Sequence, residues 1–493
     1  MSSTAMWVGS MRHPAVRRMG VRWGLFLSSP RMLAHAALLG VALLSFHPIT
    51  AADRAASSPV SVVVQADTAA VAAVAVRRAG GTVTRSFQAV GGVAATVPAS
   101  AVDSIARANG VRAVTPDVTL QAQSESYDPD LDPTSVSTIT RDVTSGAAFW
   151  RKGFDGSGVD VALIDTGVTP VPGLDDPERL RFGPDLSFES QQDGLRHLDT
   201  YGHGTHLAGI IAAKDRPVSG KPAIVGMAPG SRLVSLKVAD ATGAADVSQV
   251  IAAIDWVVQH RNTDGLNIRV LNLAFSTDST QSYLLDPLAH AAEVAWRRGV
   301  VVVVAAGNSG GTRSGLGNPA IDPYVIAVGA ATDADGKRGF QDASVMSWSA
   351  RGNGTRNPDL VASGKSIASL RVPGSYIDTN NPTARVGDRF FRGSGTSQAA
   401  AVVSGAAALI VQQRPGISPD QVKALLMGTA AAVPGAGPVE AGAGMIDLRA
   451  TVERWTPSTS QSHQTSQGTG SLEGARGSMH VSSGGVSLTG EQD

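Results

Sequence analysis

The sequence has no cysteine among its 493 residues, which excludes thiol catalysis, thiolate-bound metals and disulfide bonds. It also lacks an excess of either charge. Because 41 basic residues balance 41 acidic ones, nothing predicts a nucleic-acid or acidic-polymer partner. Aromatic residues make up only 5% of the chain, whereas its 55 glycines allow many tight turns. This composition is typical of a compact α/β protein, and the chain is long enough for two or three domains.

The N-terminus carries the pattern of an export signal. Several arginines precede the short apolar run "MLAHAALLGVALLSF", and small residues around Ala51 and Ala52 follow it. A positive region, an apolar region and an A-x-A-like exit predict a signal peptide over residues 1–52 and therefore a secreted, extracellular protein. The run is short for a membrane span, but an uncleaved signal that anchors the chain in a membrane is the alternative. The arginine-rich region is long for a signal, so Met11 and Met19 are candidates for the true start.

The rest of the chain divides by composition. Residues 58–123 predict a small α/β module, in the order strand, helix, Gly-Gly turn, two strands, helix, strand. Polar, acidic and proline-containing residues 124–139 predict an exposed linker. Residues 140–454 alternate helical patterns with apolar strands such as "VDVALID", which is typical of a parallel sheet covered on both faces. Residues 455–493 are rich in Ser, Gly and Thr and predict a flexible tail.

The stretch "FRGSGTSQAAAVVSGAAALI", which starts at Phe391, raises the question of what Ser397 does. Gly393 and Gly395 allow a sharp turn, and the apolar run after them predicts a helix that is buried on every side. A serine at such a helix start is either a capping residue or a nucleophile whose developing charge the helix N-terminus stabilises. The local pattern alone favours the capping role.

Three other polar residues lie at comparable points. Asp165 ends an apolar strand, His203 opens an Ala/Ile-rich helix, and Asn308 ends another apolar strand. Asp165 and Asn308 each have a structural alternative as a turn or cap residue. His203 with His206 has the spacing of a metal pair, although no third ligand is recognisable. Ligand chemistry in doubly wound sheets collects at the carboxyl ends of the strands. The ordered set of Asp, His, Asn and Ser, each beside glycine, therefore predicts one shared site.

These segments also carry a family resemblance. "DTGV", "GHGTHLAG", "AAGNSG" and "GTSQAAAVVSG" resemble the Asp, His, oxyanion-Asn and Ser motifs of the subtilisin-like serine proteases, or subtilases (peptidase family S8), over residues 140–450. The module before them resembles the family's inhibitory propeptide through "GGTV", "VGGVAATVP" and "ANGVRAVTPD". The resemblance implies an α/β, subtilisin-like three-layer domain with a mostly parallel sheet between helices, preceded by a small α+β propeptide module. It also implies a secreted, monomeric serine endopeptidase that is made as a self-processing zymogen and inhibited by its own propeptide.

The resemblance assigns a role to each motif residue. Ser397 would attack the peptide carbonyl, His203 would take its proton, and Asp165 would hold the imidazole in the right tautomer. Asn308 would donate its side-chain amide to the oxyanion, together with the Ser397 backbone N–H. His206 would be structural, one turn along the helix. The order Asp, His, Ser is that of this family among triad enzymes, and its catalysis requires no cofactor.

The substrate is expected to be a polypeptide bound in extended form, adding a strand to exposed edges of the enzyme. Small residues in "AAGN" and "GLGNPA" resemble the walls of the pocket for the residue before the cut, and neither segment contains a carboxylate. A large apolar or aromatic residue is therefore expected there, rather than a basic one. The residues assigned to substrate binding on this basis are Gly243, Ala244, Leu273, Ala274, Phe275, Ala305, Ala306, Gly307 and Gly317.

The chain departs from the family pattern in three places. "QAAA", Gln398–Ala401, replaces the usual Met-Ala-x-Pro after the serine, which predicts slightly altered geometry and leaves a peptide-ligating activity as a variant. "VLNLAFS" departs from the usual Asn-x-Ser-x-Gly strand. "KDRPVSGKPAIVGMAP" lacks the Asn-rich loop of the usual calcium site, so a structural calcium stays open. A catalytically silent fold used for binding is the alternative of another class, and the four retained chemical residues argue against it.

Overall fold

The computed structural model describes residues 58–88, 91–116, 132–215, 224–312, 315–332, 340–483 and 486–487. It divides into two compact units, of which the first ends at Ala122 and the second begins at Gln123. The predicted signal peptide lies outside the described residues, as does the predicted linker up to residue 131. Among the described residues, every helix is too short or too polar to span a lipid bilayer.

The first unit is a four-stranded antiparallel sheet with two helices. Its elements are β1 Pro59–Ala66, α1 Ala69–Arg78, β2 Thr82–Phe87, β3 Gly92–Pro98, α2 Val102–Ala106 and β4 Val111–Pro116. The spatial order is β2-β3-β1-β4. Thr68 caps α1 by accepting the Val71 N–H at 3.2 Å, and valines of β1 and β3 pack with Ile105 in the core. The predicted order of elements, and with it the small α+β module, is confirmed.

The second unit is built around an eight-stranded sheet. Its strands are β5 Asp160–Asp165, β6 Leu180–Asp185, β7 Arg232–Lys237, β8 Ile268–Leu273, β9 Val301–Ala305, β10 Ile326–Thr332, β11 Ser344–Val345 and β12 Leu360–Ser363. The order is β11-β10-β9-β8-β5-β7-β6, with β12 on β10. All pairings are parallel except that of β11. Strands β5 and β9 are buried at every residue, as continuous apolar strands of a covered parallel sheet should be.

Helices cover this sheet. They are α3 Val136–Thr138, α4 Ala147–Trp150, α5 His203–Ala212, α6 Val247–His260, α7 Pro287–Arg297, α8 Tyr376–Asn380, α9 Thr396–Gln413, α10 Pro419–Thr429, α11 Pro438–Ala441, α12 Leu448–Glu453 and α13 Leu472–Arg476. Helix α5 packs on α9, and α6 packs on α7. Most of α9 is buried, which fits its Ala/Val composition and the absence of a polar face. The predicted mostly parallel sheet between helices is confirmed.

Short β elements complete the second unit. β13 Ile367–Leu370, β14 Arg385–Val386 and β15 Phe390–Gly393 form an antiparallel sheet in the order β13-β15-β14. β15 leads directly into α9. β16 Ser482–Ser483 and β17 Val486–Ser487 form a hairpin near the end of the chain.

The prediction of an exposed linker is wrong for residues 132–139. Ser135 caps α3 by accepting the Thr138 N–H at 3.1 Å, and Val136 and Ile139 are buried in the core of the second unit. Asp132 pairs with Arg392 at 2.8 Å. The prolines and acidic residues suggested a linker, but this segment contributes apolar side chains and an ion pair to the second unit.

The prediction of a flexible tail is wrong for residues 456–481, which we call the C-terminal strap. The Tyr324 hydroxyl donates to the His463 carbonyl at 2.6 Å, and the Ser466 N–H donates to Glu293 at 2.7 Å. Helix α13 lies within the strap and fully buries Ala475. The strap has few apolar residues, so its order comes from hydrogen bonds to distant residues, which composition does not reveal.

Candidate active site

Asp165 and His203 meet at the carboxyl end of the sheet. Asp165 is the last residue of β5, and His203 is the first residue of α5. His203 Nδ1 lies 2.8 Å from Asp165 Oδ1, with Asp165 fully buried and the His203 side chain 25% exposed. Since the carboxylate engages Nδ1, Nε2 is the ring nitrogen left to exchange a proton with another group.

The glycine between the two histidine-motif positions allows this contact. A Cβ built on Gly204 would lie 2.1 Å from the Gly167 carbonyl and 3.1 Å from Asp165 Oδ1. Any larger residue would therefore push the start of α5 away from β5. The G of "HGTH" is required by this close approach of a helix to a strand.

A second buried carboxylate, Asp199, supports the start of α5. It accepts the Gly202 N–H at 2.6 Å, the Thr205 N–H at 2.7 Å and the Thr166 hydroxyl at 2.7 Å. These bonds satisfy amides that a helix start leaves without intrahelical partners. Sequence reasoning missed Asp199. An acidic residue four positions before the first helical residue was the available signal.

Opposing effects set the charge state of His203. Burial favours the neutral ring, but the charge and hydrogen bond of Asp165, together with the charge of Asp199, raise the pKa of His203 above its ordinary value. A raised pKa stabilises the imidazolium that forms when the ring accepts a proton. The site is therefore suited to a general base that becomes charged during reaction.

His206, one turn further along α5, has a different environment. Its Nε2 lies 3.1 Å from the Ile367 carbonyl and 3.0 Å from the Phe391 carbonyl. Burial, with the charge of His203, lowers the pKa of His206 to about 4. Because two carbonyls occupy Nε2, the ring is placed to tie α5 to β13 and β15. This arrangement does not favour the metal-pair alternative.

Ser397 lies at the start of α9. It is the second residue of the helix and 7% exposed, and its hydroxyl donates to the Ala274 carbonyl at 3.4 Å. Its backbone N–H is one of the first amides of the helix, which have no intrahelical acceptor. A Cβ built on Gly393 would lie 2.8 Å from both the His206 ring and Gln398 Nε2. The serine segment therefore approaches the histidine helix closely, through a position that must be glycine.

Asn308 is oriented by Thr396, the residue before the serine. Its Oδ1 accepts the Thr396 N–H at 2.9 Å and the Thr396 hydroxyl at 3.0 Å. With the carbonyl oxygen held in this way, the amide Nδ2 points away from Thr396 and is left to donate to another group. Asn308 Nδ2 and the Ser397 N both lie near Gly395, since a Cβ built there would be 3.5 Å from the first and 3.7 Å from the second. Two donors that lie close together are the arrangement that an oxyanion requires. Sequence reasoning missed the part played by Thr396.

The residues assigned to substrate binding lie in two places. Gly317 donates its N–H to the Ala306 carbonyl at 2.9 Å and lies against Ser276 and near Gly307, so "AAGN" and "GLGNPA" are adjacent. Ala305 and Ala306 are buried, so their side chains offer a substrate no surface. Gly243 and Ala244 line a cavity together with Phe275.

Leu273 is buried as well. Its backbone pairs with β5 on one side and β9 on the other, and its side chain is fully buried. It has neither a free edge nor an exposed side chain to offer a substrate. The assignment of Leu273 to substrate binding is therefore wrong, and the edge begins at Ala274.

The candidate calcium segment is described only in part, because residues 216–223 lie outside the described chain. In its described part, Asp215 pairs with Arg389 at 2.6 Å and accepts the Ile224 N–H at 2.9 Å. Across the described residues, no three histidine or acidic side chains are grouped as metal ligands.

Comparison with known families finds two domains. The subtilase family model matches residues 156–470, and the model of a putative peptidase inhibitor domain matches residues 26–117. The second match begins inside the predicted signal peptide. The first covers well over half of the chain and includes all four motif residues discussed above.

Individual relatives agree with this result. The chain is 38% identical to serine protease AprX of Bacillus subtilis (strain 168) over 279 residues, which are 55% of this chain and 61% of that protein. It is 32% identical to subtilisin E of the same organism over 354 residues, 71% of this chain and 78% of that protein. The chain thus spans less than two thirds of AprX but more than three quarters of subtilisin E.

Among solved structures, fervidolysin from Fervidobacterium pennivorans, described as a keratinolytic enzyme related to subtilisin, has a similar fold. The TM-score is 0.53 at 24% sequence identity, covering 82% of this chain and 62% of fervidolysin. The matched family models, the sequence relatives and the geometry at the end of the sheet all agree on the family of the protein. The chain belongs to the subtilase family of peptidases and carries an N-terminal domain of the peptidase-inhibitor type.

Proposed function

We propose that the chain is a secreted serine endopeptidase that hydrolyses peptide bonds through Asp165, His203 and Ser397. The observation that carries the proposal is the 2.8 Å contact between His203 Nδ1 and the buried Asp165 carboxylate. It orients a histidine at one helix start while a serine occupies the start of the helix packed against it. The family relatives named as serine proteases and subtilisins support the same chemistry.

The reaction follows from the placement of the proton carriers. The Ser397 hydroxyl turns about χ1 from the Ala274 carbonyl toward His203 and gives its proton to Nε2 as Oγ bonds to the substrate carbonyl carbon. The imidazolium is stabilised by Asp165 and returns the proton to the leaving amine. Water then attacks the acyl-enzyme, gives a proton to His203, and releases the acid product as Ser397 recovers its hydrogen.

Two hydrogen-bond donors stabilise the negative charge that develops on the carbonyl oxygen. The Asn308 Nδ2 and the Ser397 backbone N–H donate to the oxyanion, because Thr396 holds the other end of the Asn308 amide. Catalysis in this scheme needs no cofactor, since protein groups supply the nucleophile, the base and the oxyanion donors. Measuring activity and Tm in EDTA, and again after adding Ca²⁺, tests whether the fold holds a structural calcium.

The substrate is a polypeptide in extended form, with a large apolar residue before the cut. Support for this preference comes from the sequence, since neither "AAGN" nor "GLGNPA" contains a carboxylate that would attract a basic side chain. The inhibitor-type module at the N-terminus acts as an intramolecular inhibitor, and the enzyme releases it by cutting its own chain. The mature enzyme acts as an exported monomer, with membrane attachment only if the signal stays uncleaved.

Intact mass and N-terminal sequencing test this proposal. The protein produced from Ser58 onward is compared with its Ser397→Ala form under folding conditions. We expect the parent to lose its first module by a cut between residues 120 and 140, whereas the alanine form stays whole. If both forms stay whole and a fluorophosphonate labels neither, the fold is catalytically silent and the proposal is wrong.

A further inference from the structure

The C-terminal strap follows a defined path across the second unit. Its successive backbone groups bond to distant elements. The Gln461 N–H donates to Asp420 of α10 at 2.9 Å, and the Gly470 N–H donates to the Leu285 carbonyl at 2.6 Å. The Ser466 N–H bonds to Glu293 of α7 between these points. These bonds carry the strap from α10 past the start of α7.

The strap is then fixed to both edges that flank the proposed substrate path. Arg476, with a side chain only 7% exposed, pairs with Asp246 at 2.8 Å, and Asp246 caps α6 immediately after the Gly243–Ala245 edge. The Thr277 hydroxyl donates to the Ala475 carbonyl at 2.6 Å, just beyond the Ala274–Phe275 edge. A buried arginine and a buried carbonyl thus attach the strap to one segment on each side.

Beyond these contacts the chain turns at Gly477. Its φ is +66°, and a Cβ there would lie 2.2 Å from Asp278 Oδ1, so only glycine fits the turn. The Ser478 N–H then donates to Asp278 at 2.7 Å, and His480 Nε2 lies 2.7 Å from Glu473. The residues on both sides of Met479 are therefore held, and Met479 itself, 55% exposed, is presented between them.

Met479 faces a cavity of about 330 Å³ that the strap shares with the two edges. Ala244 comes from one edge and Phe275 from the other, Val250 and Leu288 come from α6 and α7, and Met479 and Val481 come from the strap. The lining is mostly apolar. Ser276 lines this cavity and also packs against Gly317, so the cavity adjoins the "GLGNPA" segment.

We propose that the C-terminal strap forms one wall of a substrate subsite, which receives an apolar side chain of the extended polypeptide at a position more than one residue before the cut. This inference rests on the proposed function, because it deepens the specificity of the same groove. Side chains of an extended strand project to alternate faces, so a strand held between the two edges directs one of them into the cavity. Met479 and Val481 supply apolar contact that neither edge provides.

The test is a specificity profile of parent and variants. Fluorogenic peptides are made with Ala, Leu, Phe or Glu at each of the second to fifth positions before the cut, all else being equal. At one of these positions we expect the parent to prefer Leu or Phe over Glu by about 10-fold or more in kcat/KM. Met479→Ala should reduce that preference by about 3-fold or more, at that position alone. Val439→Ala, a similarly exposed apolar position away from the groove, is the matched control.

A chain ending at Gly477 provides the second variant. It removes Met479 and Val481 but keeps the Arg476 and Ala475 contacts, and its Tm shows whether the fold survives. The inference is overturned if Met479→Ala and the shortened chain both keep the parental profile at every position. A parent that cleaves no peptide and is not labelled by a fluorophosphonate would instead overturn the proposed function, and this inference with it.

Discussion

Two helix starts face the proposed reaction, and the protein treats them differently. At α5 the N–H groups of Gly202, Gly204 and Thr205 are hydrogen-bonded within the protein, which we call a filled start. Asp199 accepts the first and the last, and the Thr166 hydroxyl accepts the Gly204 N–H at 2.9 Å. At α9 the Thr396 N–H donates to Asn308, but among the described residues the Ser397 N–H has no acceptor. We call this an open start.

The two helix starts are suited to different roles. A filled start holds its first residues in place and so positions a base such as His203. An open start has unused N–H groups, which can donate to a negative charge that exists only during the reaction. The same local feature of helices therefore serves as a support at α5 and as a proposed binding site at α9.

The largest effect is expected at the open start. Ser397→Ala should reduce kcat by about 10⁶, and adding His203→Ala should cost little more, because residues of one triad act as a unit. Active-site titration and kcat on one peptide substrate would measure this. If the fold-losses in kcat from the two single substitutions multiply in the double variant, Ser397 and His203 act independently, contrary to the proposal.

A smaller loss is expected from removing one donor at the same start. Asn308→Ala should lower kcat by about 10²–10³ with little change in KM, a magnitude established for the corresponding donor of a subtilisin. Thr396→Val keeps the Thr396 N–H bond to Asn308 and removes the hydroxyl, which donates to Asn308 and accepts the Gly307 N–H at 3.2 Å, so it should lower kcat less. An Asn308→Ala enzyme that loses affinity rather than kcat would assign Asn308 to substrate binding instead.

The filled start contributes to stability through His206. The folded pKa of about 4 lies below the ordinary value of 6.5, so between these values the unfolded chain binds more protons and the free energy of unfolding falls as pH falls. The loss should approach about 3 kcal/mol near pH 4. Urea unfolding of Ser397→Ala protein at pH 4.5 and 7.5, with and without His206→Gln, would measure it. An equal pH dependence in both proteins would contradict the assignment.

The smallest effect concerns Asp199. Its charge helps to raise the pKa of His203, so Asp199→Asn should move the acid limb of the kcat/KM profile to lower pH. The change also weakens the cap of α5 and should cost about 1 kcal/mol of stability. If the acid limb of the kcat/KM profile does not move while Tm falls, Asp199 stabilises α5 without affecting the pKa of His203.

Much of the site could be predicted from the sequence because its signals are local. Apolar runs ending in Asp165 and Asn308 predict strands that end at one edge, and the glycine-flanked histidine and serine motifs predict helix starts. Asp199 and Thr396 were missed because neither interrupts an apolar pattern. Leu273 was misassigned because pairing on both sides, rather than the adjacent sequence, decides where a free edge begins.

The C-terminal strap and residues 132–139 show the limit of composition. The strap was expected to be flexible, yet Ser466 bonds to a residue 173 positions away and Arg476 to one 230 positions away. A polar segment cannot bury much apolar surface, but it can still be ordered by hydrogen bonds and ion pairs. Such partners are created only when the rest of the domain has folded.

The sequence by itself determined the two kinds of unit, the parallel sheet and the identities of the four motif residues. These depend on hydrophobic period and on residue types that must lie side by side in the chain. Only the tertiary structure decided which helix start is filled and which stays open, which residues after β8 leave the sheet, and which strap residues line the cavity beside Phe275. Each of these depends on non-local hydrogen bonds and packing, which join residues that no local pattern connects.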